Sequence, residues 1–213
     1  MLIRRLATLA FFASLPLTAA ACAPKAPPLR GAVVPARLPG TDLPPIHRKL
    51  VFLWSYVDPD LRARGDGAAR VAPPDSVRID LFVGGGYGSG SATLVRDELV
   101  TRGDPRIRDY LPPVPLLWAA LGRLAVPAAP DTAVRVDGDT LRVEIGRDPA
   151  WRATFAANEL RRMEVIRGGR VQQWVTRDPD GQVHYEHERS HRTLDLSVTR
   201  VDTVTTFDAA IWR

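Results

Sequence analysis

The chain has 213 residues, 45% of them apolar and 25% charged, with a formal net charge of +5. That length suffices for one domain with a real core. Arginines and acids alternate along most segments, which reads as a solvated surface and argues against a nucleic-acid stripe, and the single cysteine excludes both a disulfide framework and a cysteine-based metal cluster.

The chain opens with Arg4 and Arg5, then an apolar run from Leu6 to Leu17, then Thr18-Ala19-Ala20-Ala21-Cys22. A charged start, a short apolar stretch and small residues before a cut are the parts of an export signal. The apolar run is too short to span a bilayer, which needs about 20 residues, and Pro16 disfavours a spanning helix. With Cys22 at the first position after the cut, the segment resembles a bacterial lipoprotein signal. The resemblance implies removal of residues 1–21 and acylation of Cys22, palmitate included. An ordinary secretory signal with a coincidental cysteine is the alternative. Ala23, where Asp is a common inner-membrane retention signal, points to the outer membrane, with the protein facing the periplasm.

Residues 22–45 read as the lipidated cysteine and a tether. Seven prolines fall between residues 23 and 45. Such a segment buries no core and reaches on the order of 50–70 Å when extended.

The domain is expected over residues 46–213. Leu50 to Val57 is apolar and aromatic, and Asp58-Pro59-Asp60 turns the chain into Arg62 to Val71. Val77, Ile79, Leu81 and Val83 alternate on one face, and a Gly-rich turn leads to Ala92 to Val95 and on toward Val100. Val134 and Val136 lead through Asp137-Gly138-Asp139 into Leu141, Val143 and Ile145, a strong hairpin signal. Further runs follow at Trp151 to Phe155, Leu160 to Ile166, Val171 to Thr176, Val183 to Arg189, and Leu194 toward Val204. About eleven strands with turns every 8–12 residues predict a mainly β, antiparallel architecture. The exception is residues 115–124, Pro115 to Leu124, with proline in the first turn and apolar residues on nearly every face. A short helix of that kind needs apolar neighbours all round, so it is placed inside a curved sheet as a plug or lid.

From the anchor cysteine, the Pro-rich segment, the strands and the mid-chain helix, the chain resembles the LolA/LolB lipoprotein-localisation superfamily. Pro74-Asp75-Ser76-Val77-Arg78-Ile79-Asp80-Leu81, with Ala92-Thr93-Leu94-Val95 after the turn, looks like the third and fourth strands of that family, and Leu111-Pro112-Pro113 like its approach to the helix. The resemblance covers roughly residues 50–212. It implies a half-closed β-barrel with a helical lid over an apolar cavity that takes acyl chains or lipoproteins, delivered in the family by a periplasmic carrier. Expected cavity residues are Ile79, Leu81, Leu94, Leu117, Leu121, Trp151, Phe155 and Trp174; plain core packing is the alternative for each. Two departures stand out. The family carries a helix before its first strand where this chain has prolines. Its exposed loop leucine is replaced here by Tyr87, the only large side chain in Gly84 to Gly90 and the candidate membrane contact.

No catalytic residue, metal or cofactor is expected, and the protein is read as a non-enzyme. The Gly-rich loop leads into a strand-like run, so the helix N-terminus a phosphate site needs is missing. It contains no G-x-S-x-G. In His184 to His191, His184, Glu186 and Glu188 share one strand face and His187 and His191 the other, about 13 Å apart, so neither set chelates well unless another strand contributes, and a solvated outer face is expected. The leading expectation is an envelope lipoprotein that binds lipid acyl chains or lipoproteins. The alternative is a structural or interaction lipoprotein with a closed core and an envelope protein as partner. A tethered hydrolase is the third reading, and no Ser, His and Asp spacing supports it.

Overall fold

The computed structural model describes residues 24–35, 37–86, 88–104 and 106–212; the expected anchor Cys22 and the expected membrane contact Tyr87 lie outside the described residues. In chain order the strands are β1 (Ala32–Val34), β2 (His47–Val57), β3 (Arg62–Ala72), β4 (Ser76–Val83), β5 (Ser89–Val95), β6 (Glu98–Gly103), β7 (Ala133–Asp137), β8 (Thr140–Ile145), β9 (Ala150–Ala156), β10 (Glu159–Arg167), β11 (Arg170–Arg177), β12 (Gln182–His187) and β13 (Arg192–Val204). Two helices, α1 (Ile107–Tyr110) and α2 (Val114–Ala120), fall between β6 and β7. All thirteen strands form one antiparallel sheet in the order β1-β7-β8-β9-β10-β11-β12-β13-β2-β3-β4-β5-β6. β1 and β6 are its two edges, so the barrel stays open.

The mainly β fold and the antiparallel sheet are as the alternation predicts. Two strands exceed the expected count. The run from Ala92 to Val100 folds back on itself at Arg96-Asp97, so Val95 pairs with Glu98 and one expected strand becomes β5 and β6. The other addition, β1, comes from the Pro-rich segment and pairs with β7. The Asp137-Gly138-Asp139 turn closes with Asp137 opposite Thr140. The His-rich strand stops at His187, and Glu188–Ser190 forms a 3-10 turn.

The sheet order explains where the helices go. β6 is one edge, and β7 lies one strand in from the other. Residues 104–132 must therefore cross the open side of the curved sheet. Connections run where they cover hydrophobic surface, so this crossover becomes the lid. α2 buries Leu116, Leu117, Trp118 and Ala119 and packs on β10 and β11. The Trp118 indole N–H donates to the Arg96 carbonyl at 2.6 Å, which satisfies the one polar atom of a fully buried side chain. The helix ends at Ala120, short of Leu124, because the chain reverses at Leu121-Gly122 and the Arg123 N–H returns to the Trp118 carbonyl at 2.9 Å.

One hydrophobic core lines the concave side. Phe52, Trp54 and Tyr56 of β2 alternate inward and meet Val71, Val77, Leu94, Val143, Phe155, Met163 and Val175. The outer face carries the charges in cross-strand ladders. Asp80 of β4 pairs with Arg70 of β3 and with Arg78, and Glu144 of β8 pairs with Arg152 of β9 at 2.5 Å. This is the physical content of the alternating Arg and acid pattern.

The Pro-rich segment departs from a free tether. Residues 24–26 pair with the start of β11 through Lys25 opposite Arg170, β1 joins the sheet, and Leu43 enters the core at 5% exposure. Prolines keep the segment extended, as expected, but its few donors and small apolar side chains find partners on the domain.

Candidate acyl-chain cavity

α2 fills one half of the concave face, against β10 and β11. The other half, inside β2 to β5, is left hollow beneath α1. The cavity is about 530 Å³, within the range of small-molecule sites. Its wall consists of Trp54 and Tyr56 of β2, Leu61 in the turn after it, Ala63 of β3, Leu81 and Val83 of β4, Ser89 and Gly90 of β5, and Leu194 of β13. Ile107, Tyr110 and Leu111 form its lid, and Asp104 and Arg106 stand at its edge.

The lid seats on a glycine. A Cβ at Gly90 would lie 1.7 Å from the Ile107 Cδ1, so the bare backbone of β5 is the notch that admits the Ile107 side chain. Tyr110 meets Tyr56 with ring centroids 4.9 Å apart. The Arg192 guanidinium donates to the Asp109 carbonyl at 2.7 Å, and Arg108 donates to the Leu99 carbonyl at 2.6 Å. A four-residue helix has little stability of its own. These contacts hold it.

The polar groups gather at one end. The Tyr56 hydroxyl donates to Asp58 Oδ2 at 2.7 Å, while Asp58 Oδ1 accepts the N–H groups of Asp60 and Leu61 at 2.9 and 2.6 Å. Burial first, and the Asp58 bond second, push the Tyr56 phenol well above its ordinary range. The same bond holds the Asp58 carboxyl below the usual carboxylate range. Arg106 grips Asp104 through Nη2 at 2.7 Å and Nε at 3.1 and 3.2 Å, lowering its carboxyl to about 2. Tyr56 is thus a neutral phenol whose proton is committed to Asp58, and the Arg106 charge is matched by Asp104. What the arrangement can do is shed water from an apolar chain.

Of the expected cavity residues, Leu81 lines the cavity. Ile79 lies two residues away on the same face of β4 and packs on the core. Leu94, Leu117 and Phe155 are buried in the core, and Leu121 and Trp151 pack against it. Trp174 is the correction. Its neighbour Val175 is buried inside, so Trp174 points to the outer face, where it packs on Ala150, Ile166 and Val171 beneath Arg162 at 5.1 Å. Two adjacent apolar residues leave the phase of a strand ambiguous, and the irregularity between Val165 and Ile166 breaks the alternation that would have decided it.

Trp54, Tyr56, Ala63, Val83 and Leu194 line the cavity without having been singled out. The alternation Phe52, Trp54, Tyr56 in β2 carried that signal, as did the face shared by Leu81 and Val83. Ile107 and Tyr110 had none, since a four-residue helix shows no period.

The His-rich segment is half-buried, with Tyr185 turned into the core and His184 on the outer face. His184 Nδ1 bonds Asp195 across β12 and β13 at 2.6 Å, and its Nε2 is 3.4 Å from Glu186. Burial lowers the His187 imidazole, helped by Arg192 and Arg189. Among the described residues no group of three or more His, Cys, Asp or Glu side chains is placed to hold a metal. No helix among them is long and apolar enough to cross a membrane.

No protein-family model matches the chain, and no curated protein does. Solved structures match its shape. A domain described as an outer membrane lipoprotein-sorting protein from Vibrio parahaemolyticus superposes with a TM-score of 0.50 at 7% identity, covering 81% of this chain and 91% of that one. A LolA superfamily protein from Nitrosomonas europaea gives 0.48 at 10% identity over 81% and 92%. A DUF1329 family protein from Desulfovibrio piger gives 0.43 at 8% identity over 78% and 89%. The fold of this chain is LolA/LolB-like, as the resemblance in its sequence implied.

Proposed function

We propose that this protein is a non-enzymatic, lipid-anchored binder of acyl chains in the bacterial envelope, taking lipids or the acyl groups of lipoproteins. The cavity beneath α1 carries the reading: about 530 Å³ lined by Trp54, Tyr56, Leu81, Val83, Ile107 and Leu194. An acyl chain gains about 0.8 kcal/mol for each methylene moved from water into such a wall. The Tyr56, Asp58, Asp104 and Arg106 end suits a polar headgroup left at the surface.

In this reading Cys22 is acylated and holds the protein at the outer membrane, facing the periplasm, and the cargo comes from a periplasmic carrier or another envelope protein. The name of the Vibrio domain supports lipoprotein sorting as the setting. The competing reading, a structural or interaction lipoprotein, draws on the other half of the concave face, which α2 packs shut.

The test is uptake. Delipidated mature domain is titrated with a fluorescent fatty acid, and lipids that co-purify with the native protein are identified by mass spectrometry. Saturable binding and co-purified acyl lipids are expected. No uptake, together with co-purification of an envelope protein, would favour the structural reading.

A further inference from the structure

The N-terminal segment does not leave the domain where a tether would. The Val171 N–H donates to the Pro24 carbonyl at 3.1 Å, and the Ala26 N–H donates to the Gly169 carbonyl at 2.9 Å. Lys25 bridges Arg170 between these two bonds. Ala26 packs on the outer-face cluster of Ala150, Ile166 and Val171. Arg152 of β9 then donates to the Pro27 carbonyl at 2.8 Å, and Arg135 of β7 to the Gly31 carbonyl at 3.1 Å. β1 follows in register on β7. Gly31 enters that pairing at φ +109°, and a Cβ there would lie 2.5 Å from the Val136 carbonyl oxygen. Residues 24–34 are therefore fixed at several stations across four strands.

The first of those stations is at one particular end of the sheet. Antiparallel order puts the β10–β11 turn, Gly168-Gly169, at the same end as the β2–β3 turn, the β4–β5 loop and the β12–β13 turn. That is the rim where Leu61, Gly88, Asp104 and Arg106 edge the cavity. Phe82, 49% exposed on the outer face, sits beside the same rim. In the sequence Cys22 precedes Pro24 by two residues, which is at most about 7 Å of chain. The opposite end of β11 is about 25 Å away.

We propose that residues 24–34 are a clamp, and that they seat the cavity rim on the lipid surface into which the Cys22 acyl chains insert. The inference rests on acylation of Cys22. It replaces a domain swinging on a long arm by one held with its cavity mouth toward the bilayer. An acyl chain then passes between membrane and cavity without the domain turning over.

The test uses the full acylated protein in phosphatidylethanolamine and phosphatidylglycerol vesicles that contain nitroxide-labelled lipid. Cys22 is the only native cysteine, and acylation consumes its thiol, so one introduced cysteine takes a fluorophore cleanly. Arg167→Cys labels the clamped rim, and Asp139→Cys labels the β7–β8 turn at the far end. Several-fold stronger quenching at position 167 than at 139 is expected. Replacing residues 24–34 by a Gly-Ser segment of equal length should bring the two labels to similar quenching while the domain still melts cooperatively. Equal quenching in the unaltered, vesicle-bound protein overturns the clamp and leaves acylation standing. An intact mass without lipid and a protein that stays in solution overturn the anchor, and the orientation with it.

Discussion

Filling the cavity is the sharpest way to ask whether it holds an acyl chain. Ala63 lines it from β3, directly opposite Tyr56 of β2. Ala63→Phe replaces a methyl by a benzyl group in a space that is empty, so the change adds volume where no neighbour has to move. The ring displaces roughly four methylenes of a bound chain, at about 0.8 kcal/mol each, so affinity falls by about 3 kcal/mol, or more than a hundredfold. The assay is a displacement titration of a fluorescent fatty acid with dodecanoate and palmitate. In the unaltered protein each added pair of methylenes should tighten binding by roughly tenfold until the cavity is full. In the variant the longer chain should lose most of its advantage. A melting temperature at or above that of the unaltered protein shows that the ring went into the cavity. Undiminished palmitate affinity in a folded Ala63→Phe protein would refute the assignment, because the chain would then be bound elsewhere.

Gly90→Ala should unseat the lid, since its Cβ meets Ile107 Cδ1; stopped-flow displacement should show ligand release several-fold faster, with the melting temperature lower by a few degrees for a loss of about 1–3 kcal/mol. Trp118 is fully buried, so Trp118→Ala should cost about 3–5 kcal/mol in urea unfolding. Trp118→Phe keeps most of the volume but gives up the hydrogen bond to the Arg96 carbonyl, at about 0.5–1.5 kcal/mol. Asp104 titrates at about 2 against an ordinary 3.8 because Arg106 binds its charged form. Its folded value is the lower one, so its contribution is present above about pH 4 and lost as pH falls from there through about 2. Carboxyl carbon shifts in NMR should follow that curve, and Arg106→Gln should return the group toward 3.8.

Trp174 and Leu81 mark the limit of what alternation can say. Leu81 sits in a clean period-two run, Val77, Ile79, Leu81, Val83, and the face it shares is the face that lines the core and the cavity. Trp174 sits beside another apolar residue at a strand irregularity, where the pattern has two phases and only packing selects one. Leu94, Leu117 and Phe155 were legible as inward-facing, but pattern does not distinguish a residue that fills space from one that borders a void. That difference depends on what α2 and α1 cover.

Local chemistry determined a great deal by itself. Alternation set the strands, and Asp-Gly set a hairpin. An apolar helix after Pro112-Pro113 had to lie inside the sheet. These follow from backbone periodicity and from the cost of exposing apolar side chains, which neighbouring residues already specify. The tertiary structure decided the rest. It split Ala92–Val100 at Arg96-Asp97, and it placed β6 and β7 near opposite edges, so that the crossover became a lid. It packed one half of the concave face and left the other hollow, and it folded the Pro-rich segment back onto β9 to β11 and β7. Those features depend on contacts between residues far apart in the chain, which a sequence pattern read window by window does not contain.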